Sequence, residues 1–93
     1  MGWVIIIKIY EDDTYVIYSY SHDSHIQDGT IKIKKALLDP KNSQECIYNF
    51  IEVKSSTTDK TNFFAIRVAS GIFYKIKKGE FSDFPQKHMF AWG

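Results

Sequence analysis

The chain has 93 residues, 44% of them hydrophobic and 16% aromatic, with a formal charge of +1. A chain this apolar and this close to neutral is not intrinsically disordered, and it has length for one core that buries about 65% of its extended-chain surface. The charge supplies no overall field to hold it on nucleic acid or an anionic membrane, and the single cysteine, Cys46, excludes an intrachain disulfide and a thiolate zinc site, so a reducing, cytoplasmic setting is expected.

The apolar opening from Met1 to Ile9 has no basic leader region, and Lys8 interrupts it well short of a membrane span, so it reads as a strand over Trp3 to Tyr10. Trp3, Ile5, Ile7 and Ile9 lie on one pleat face and Val4, Ile6, Lys8 and Tyr10 on the other. With both faces largely apolar, the strand is expected at the centre of a sheet. Glu11, Asp12 and Asp13 form a short acidic turn, and Thr14 to Ser21 resumes as a second strand. Val16, Tyr18 and Tyr20 occupy one of its sides, with Tyr15, Ile17, Ser19 and Ser21 on the other.

A polar loop from His22 to Gly29 leads to a third strand, Thr30 to Lys35, with Ile31 and Ile33 inward and Lys32 and Lys34 outward. Residues 37–44 form a second connection, marked by Asp39-Pro40 and Asn42-Ser43. Glu45 to Lys54 reads either as a strand, which its alternation favours, or as a short helix capped by Asn42 or Ser43. Ser55 to Thr61 is a polar linker. Asn62 caps a helix that runs to about Lys78, with Ile66, Ala69, Phe73 and Ile76 on its core stripe and Ala65 and Ile72 beside it. Lys75, Lys77 and Lys78 suit the negative end of its dipole, and Gly79 ends it. Gly71, unfavourable within a helix, implies close contact with the sheet. Phe81, Phe84, Pro85, Met89, Phe90 and Trp92 form an apolar tail. It closes the open end of the core or adds a short strand, or else it forms a partner or self-association surface, the latter joining two copies into a homodimer. The expectation is one α+β domain over residues 1–93: an antiparallel meander of three to four strands packed against one C-terminal helix, followed by an aromatic tail.

Candidate chemistry is sparse. His22, Asp23, His25 and Asp28 place four potential ligands within one loop, in no metal-binding spacing. Cys46 stands in no nucleophile signature and is expected as a small core residue. No phosphate-loop spacing occurs, and no cofactor is expected. Arg67, Tyr74, Lys75 and Lys78 share the helix face away from the core stripe, without the signature of a nucleic-acid module. Acidic groups concentrate early: Glu11, Asp12, Asp13, Asp23 and Asp28 face only Lys8 in the first 30 residues, a local charge of −4.

Two stretches resemble a known group. Lys8 through Ser19, and Phe64 to Ala69 with Tyr74-Lys75-Ile76, Gly79-Glu80-Phe81, Pro85 and Lys87, are similar to a loose group of short bacterial proteins built as a strand meander and one helix. That group is itself similar to small immunity proteins of toxin systems. The resemblance implies a fold and carries no catalytic residues across. The Phe84 region and the Met89-Phe90-Ala91-Trp92 ending depart from it.

The functional expectation is a non-enzymatic protein-binding module, an immunity-type inhibitor being one form of it. Asp12, Asp13, Asp23 and Asp28 would steer a basic protein partner, and exposed Tyr18 and Tyr20 or the tail aromatics would anchor it. Nucleic acid and membrane are not expected as partners. The alternative is a small metal-binding protein or enzyme using the His22 to Asp28 loop.

Overall fold

Alternation of apolar residues through the first two runs produces a hairpin of β1 (Gly2–Glu11) and β2 (Tyr15–His22), joined by the expected acidic turn. Asp12 shapes that turn, its Oδ1 accepting from the Thr14 and Tyr15 amides at 2.8 and 2.9 Å. A computed structural model of the chain describes residues 2–23, 25–42 and 46–92. Among the described residues, β3 (Gly29–Lys34), β4 (Ile51–Lys54), the helix α1 (Phe63–Lys77) and β5 (Lys87–Trp92) follow, with three short 3-10 turns between β3 and β4.

The five strands form one antiparallel sheet in the order β4-β3-β2-β1-β5, so the hairpin is central, as its two apolar faces require. Pairing places Val4 and Ile6 of β1, Val16, Tyr18 and Tyr20 of β2, and Ile31 and Ile33 of β3 on one face, all but fully buried. At about 1.5–3 kcal/mol for each large apolar side chain removed from water, this face is the main source of stability. Beyond Lys8 the β1 register shifts by one residue, a bulge that leaves Ile9 exposed at the rim.

The helix lies on that face. It buries Ala65, Val68, Ala69 and Ile72, while Ile66, Phe73 and Ile76 are only partly buried against the core. The stripe is therefore rotated from the expected one, because two alanines and a valine let the backbone approach a sheet whose tyrosines already fill the space. Gly71 makes the close contact expected of it: a Cβ there would lie 3.0 Å from the Phe90 ring of β5. The N-terminus is capped by a different residue from the one expected. Asn62 adopts a left-handed backbone, φ 63°, with no side-chain cap, and Asp59 instead accepts from the Phe64 and Ala65 amides at 3.1 and 2.9 Å. At the other end Gly79, φ 82°, permits hydrogen bonds from the Gly79 amide to the Ile76 carbonyl and from the Glu80 amide to the Lys75 carbonyl. This is the Schellman arrangement.

The tail is the main departure from the expected three to four strands. Lys87–Trp92 pairs antiparallel with β1, matching Val4 to Phe90 and Ile5 to Met89. Phe84 and Phe90 enter the core, and the Tyr18 hydroxyl donates to the Pro85 carbonyl at 2.7 Å. The ambiguous 45–54 segment combines a 3-10 turn, Ile47–Phe50, with strand β4, while Ser43 and Glu45 lie outside the described residues. Cys46 is exposed, not a core residue, at the start of that turn.

Candidate functional site

A sheet covered by a helix on one face leaves the other face to solvent, and polar residues normally occupy it. Here the pleat puts Trp3, Ile5 and Ile7 of β1, Met89 and Ala91 of β5 and Ile17 of β2 on that open face. Met89 is 57% exposed. The strip is thus built where the two apolar faces of β1 meet the outward pleat of the tail strand. Recognising it required knowing that residues 87–92 add beside β1. The sequence signal available was the two-sided apolarity of β1.

The loop after β2 folds over the rim of this face. Asp23 begins it with a left-handed backbone, φ 53°, and its Oδ1 accepts from the Trp3 amide at 2.9 Å. His25 lies against Trp3, ring centroids 5.3 Å apart. The Gln27 side-chain amide sits between the Ser19 and Ser21 hydroxyls, at 3.4 and 3.1 Å, so the two small serines of β2 provide the seat for the loop. Trp3, Ile5, His25, Met89 and Ala91 then enclose an apolar groove of about 320 Å³. Ile26, 71% exposed, stands on the loop beyond it.

Farther across the same face the character changes. Lys32 and Lys34 of β3, Lys54 of β4 and Lys87 of β5 project outward by register, with Glu52 as the carboxylate among them. Lys32 Nζ lies 4.1 Å from the Tyr15 ring centroid and 3.7 Å from Glu52. Lys87 apart, the face therefore grades from apolar on β5 and β1 to basic on β3 and β4.

The residues expected to bind a partner are distributed differently. Tyr18 and Tyr20 are fully buried, which corrects their expected exposure: they share the pleat of Val16, and the serines of β2 take the open side. Burial raises both phenol pKa values above the ordinary range. Asp12 and Asp13 sit at one end of β2 and Asp23 and Asp28 at the other, so the acidic groups do not gather on one side. Three of the four have structural roles. Asp12 is held below the usual carboxylate range by the Tyr15 and Thr14 amides. Asp23 accepts from Trp3, and Asp28 accepts from the Ser56 and Thr57 hydroxyls, each at 2.5 Å, which lowers its pKa. Asp13 is exposed on the turn.

The four loop residues considered for metal do not converge as a set: only His22 and Asp23 meet, Nε2 to Oδ2 at 3.1 Å. The His22 ring stacks on Phe64 at 3.6 Å on the helix side, His25 lies on Trp3, and Asp23 and Asp28 point to separate backbone segments. Among the described residues, no group of three His, Cys, Asp or Glu side chains is placed to hold a metal ion. The helix cations rest on neighbouring rings, Lys78 on Tyr74 at 4.8 Å and Lys77 on Phe73 at 5.4 Å. A second hollow, of about 440 Å³, lies between Tyr48, Thr61, Phe63, Ile66 and Arg67. Among the described residues, no helix is long and apolar enough to cross a membrane.

Compared with protein-family models, with curated proteins and with solved structures, the chain matches none of them.

Proposed function

We propose that the chain is a non-enzymatic protein-binding module that acts through the open face of its sheet. One observation carries this reading: Trp3, Ile5, Ile7, Ile17, Met89 and Ala91 make a contiguous apolar strip on a face that the chain's only described α-helix does not cover. A sheet that is apolar on both faces is completed by a second layer, and apolar strips rimmed by polar residues mark protein contacts. Trp3 and Met89 beside a groove are the residue types that anchor such contacts. The immunity-type reading specifies the partner as a toxin, and it rests on the resemblance of the hairpin and helix segments alone.

Affinity capture from the native host tests the surface. The unaltered chain, an Asp13→Lys variant and a Lys78→Glu variant are expected to retain the same stoichiometric protein, and Ile5→Glu with Met89→Glu to lose it while keeping the native circular dichroism. Retention by the folded double variant would contradict the open-face reading, and loss with Asp13→Lys alone would favour steering by the acidic turn.

A further inference from the structure

We infer that the open face takes an amphipathic helix of a separate chain, with an apolar stripe bordered on one flank by aspartate or glutamate. This rests on the open-face reading above and specifies the chemistry of the partner. The charge is the first argument. Four lysines and one glutamate project from the strands of this face, so a carboxylate-bearing partner is steered and held in register there, while a basic one is repelled. A second copy of the chain brings the same lysines and no row of carboxylates to meet them.

Geometry is the second argument. Two strand spacings, about 10 Å, separate β1 from β3, and a helix with its side chains is about 10–12 Å across. A helix laid over β1 spends about 5–6 Å of that distance on its own radius, so glutamates on its flank meet Lys32 and Lys34 where the long lysine side chains lean back across β2. The groove between Trp3, Ile5, His25, Met89 and Ala91, about 320 Å³, receives large side chains from its stripe. A helix of about 18 residues is about 27 Å long, within the 35 Å long axis of the domain. Its docking would convert the two-layer fold into helix, sheet, helix, burying the strip that the chain itself leaves exposed.

The test uses the full chain and two fluorescein-labelled helical peptides of about 18 residues, alike in their leucine stripe and bearing either glutamates or lysines on one flank. Fluorescence anisotropy should show the glutamate peptide binding at least about tenfold more tightly at low salt, with the gap closing as salt screens it. Lys32→Glu with Lys34→Glu should reverse the preference, and Met89→Asp should weaken both peptides. Met89 is exposed, so that variant keeps the fold; Ile5→Asp serves as the second variant at the same groove. Equal affinity for the two peptides, preference for the lysine peptide, or binding of neither overturns the inference. So does sedimentation as a dimer that Met89→Lys disperses. If the peptides bind equally and Met89→Asp weakens both, the open-face reading stands and the acidic partner falls; if Met89→Asp leaves both unchanged, both fall.

Discussion

The Tyr20 hydroxyl donates a 2.9 Å hydrogen bond to Asp59 Oδ2, joining the centre of the sheet to the residue that caps the helix. The same hydroxyl accepts from the Ser56 amide at 3.1 Å. Both side chains are buried, Asp59 at 3% exposure, so each polar atom depends on its protein partners. Tyr20→Phe is expected to cost about 1–3 kcal/mol, because it leaves the Ser56 amide and one Asp59 lone pair unmatched. Asp59→Ala, which also removes the cap, should cost about 2–4 kcal/mol. Urea unfolding of the two variants measures both, and an Asp59→Ala loss smaller than that of Tyr20→Phe would contradict the coupling.

Two glycines should respond differently to alanine. At Gly29 a Cβ would lie 2.4 Å from the Tyr20 ring and 2.7 Å from the Ser56 amide nitrogen, so Gly29→Ala must displace backbone as well as ring. A loss of about 3 kcal/mol is expected from such overpacking. At Gly79 nothing lies within 4 Å, and only the left-handed φ of 82° opposes alanine. There the loss should be about 1 kcal/mol. Thermal unfolding of both variants checks the order, and equal losses would contradict it.

His88 of β5 packs edge-on to Phe81 and Phe90, at 5.0 and 4.6 Å, with Lys75 as the nearby cation. Burial, and then the Lys75 charge, lower its pKa from the ordinary 6.5. The unfolded chain therefore takes up this proton first as pH falls, and stability contributed by neutral His88 is lost from about pH 6.5 downward. The Glu11 carboxylate, held below 4.5 by Lys35 and Lys8, together with Asp12 and Asp28, held below 3.8, acts in a separate and lower window. Melting temperature should fall between pH 7 and pH 5 in the native chain, and His88→Phe should flatten that slope. An unchanged slope in the variant would assign it to another group.

The hairpin, the inward Ile31 and Ile33, the helix and its glycine stop were legible because each depends on local periodicity or a local backbone conformation. The helix cap was not: Asn62 has the right type at the right place, and Asp59 takes the role because Tyr20, distant in sequence, holds it there. The same long-range pairing hid β5, since six residues of mixed pattern become a strand only against β1. The two-sided apolarity of β1 was visible, and it placed the strand centrally. That its outer face stays uncovered follows from the helix packing on one side only. The burial of Tyr18 and Tyr20 was readable from their shared pleat with Val16 and from Ser19 and Ser21 opposite.

The most direct test of the open-face account is nuclear magnetic resonance of the isotopically labelled chain during titration with the glutamate-flanked peptide. Amide shifts should concentrate at Trp3, Ile5, Ile7, Ile17, Met89 and Ala91 and extend to Lys32 and Lys34, with the helix amides from Arg67 to Lys78 unmoved. Shifts confined to α1 or to the acidic turn at Asp12 and Asp13, with the open face silent, would contradict it.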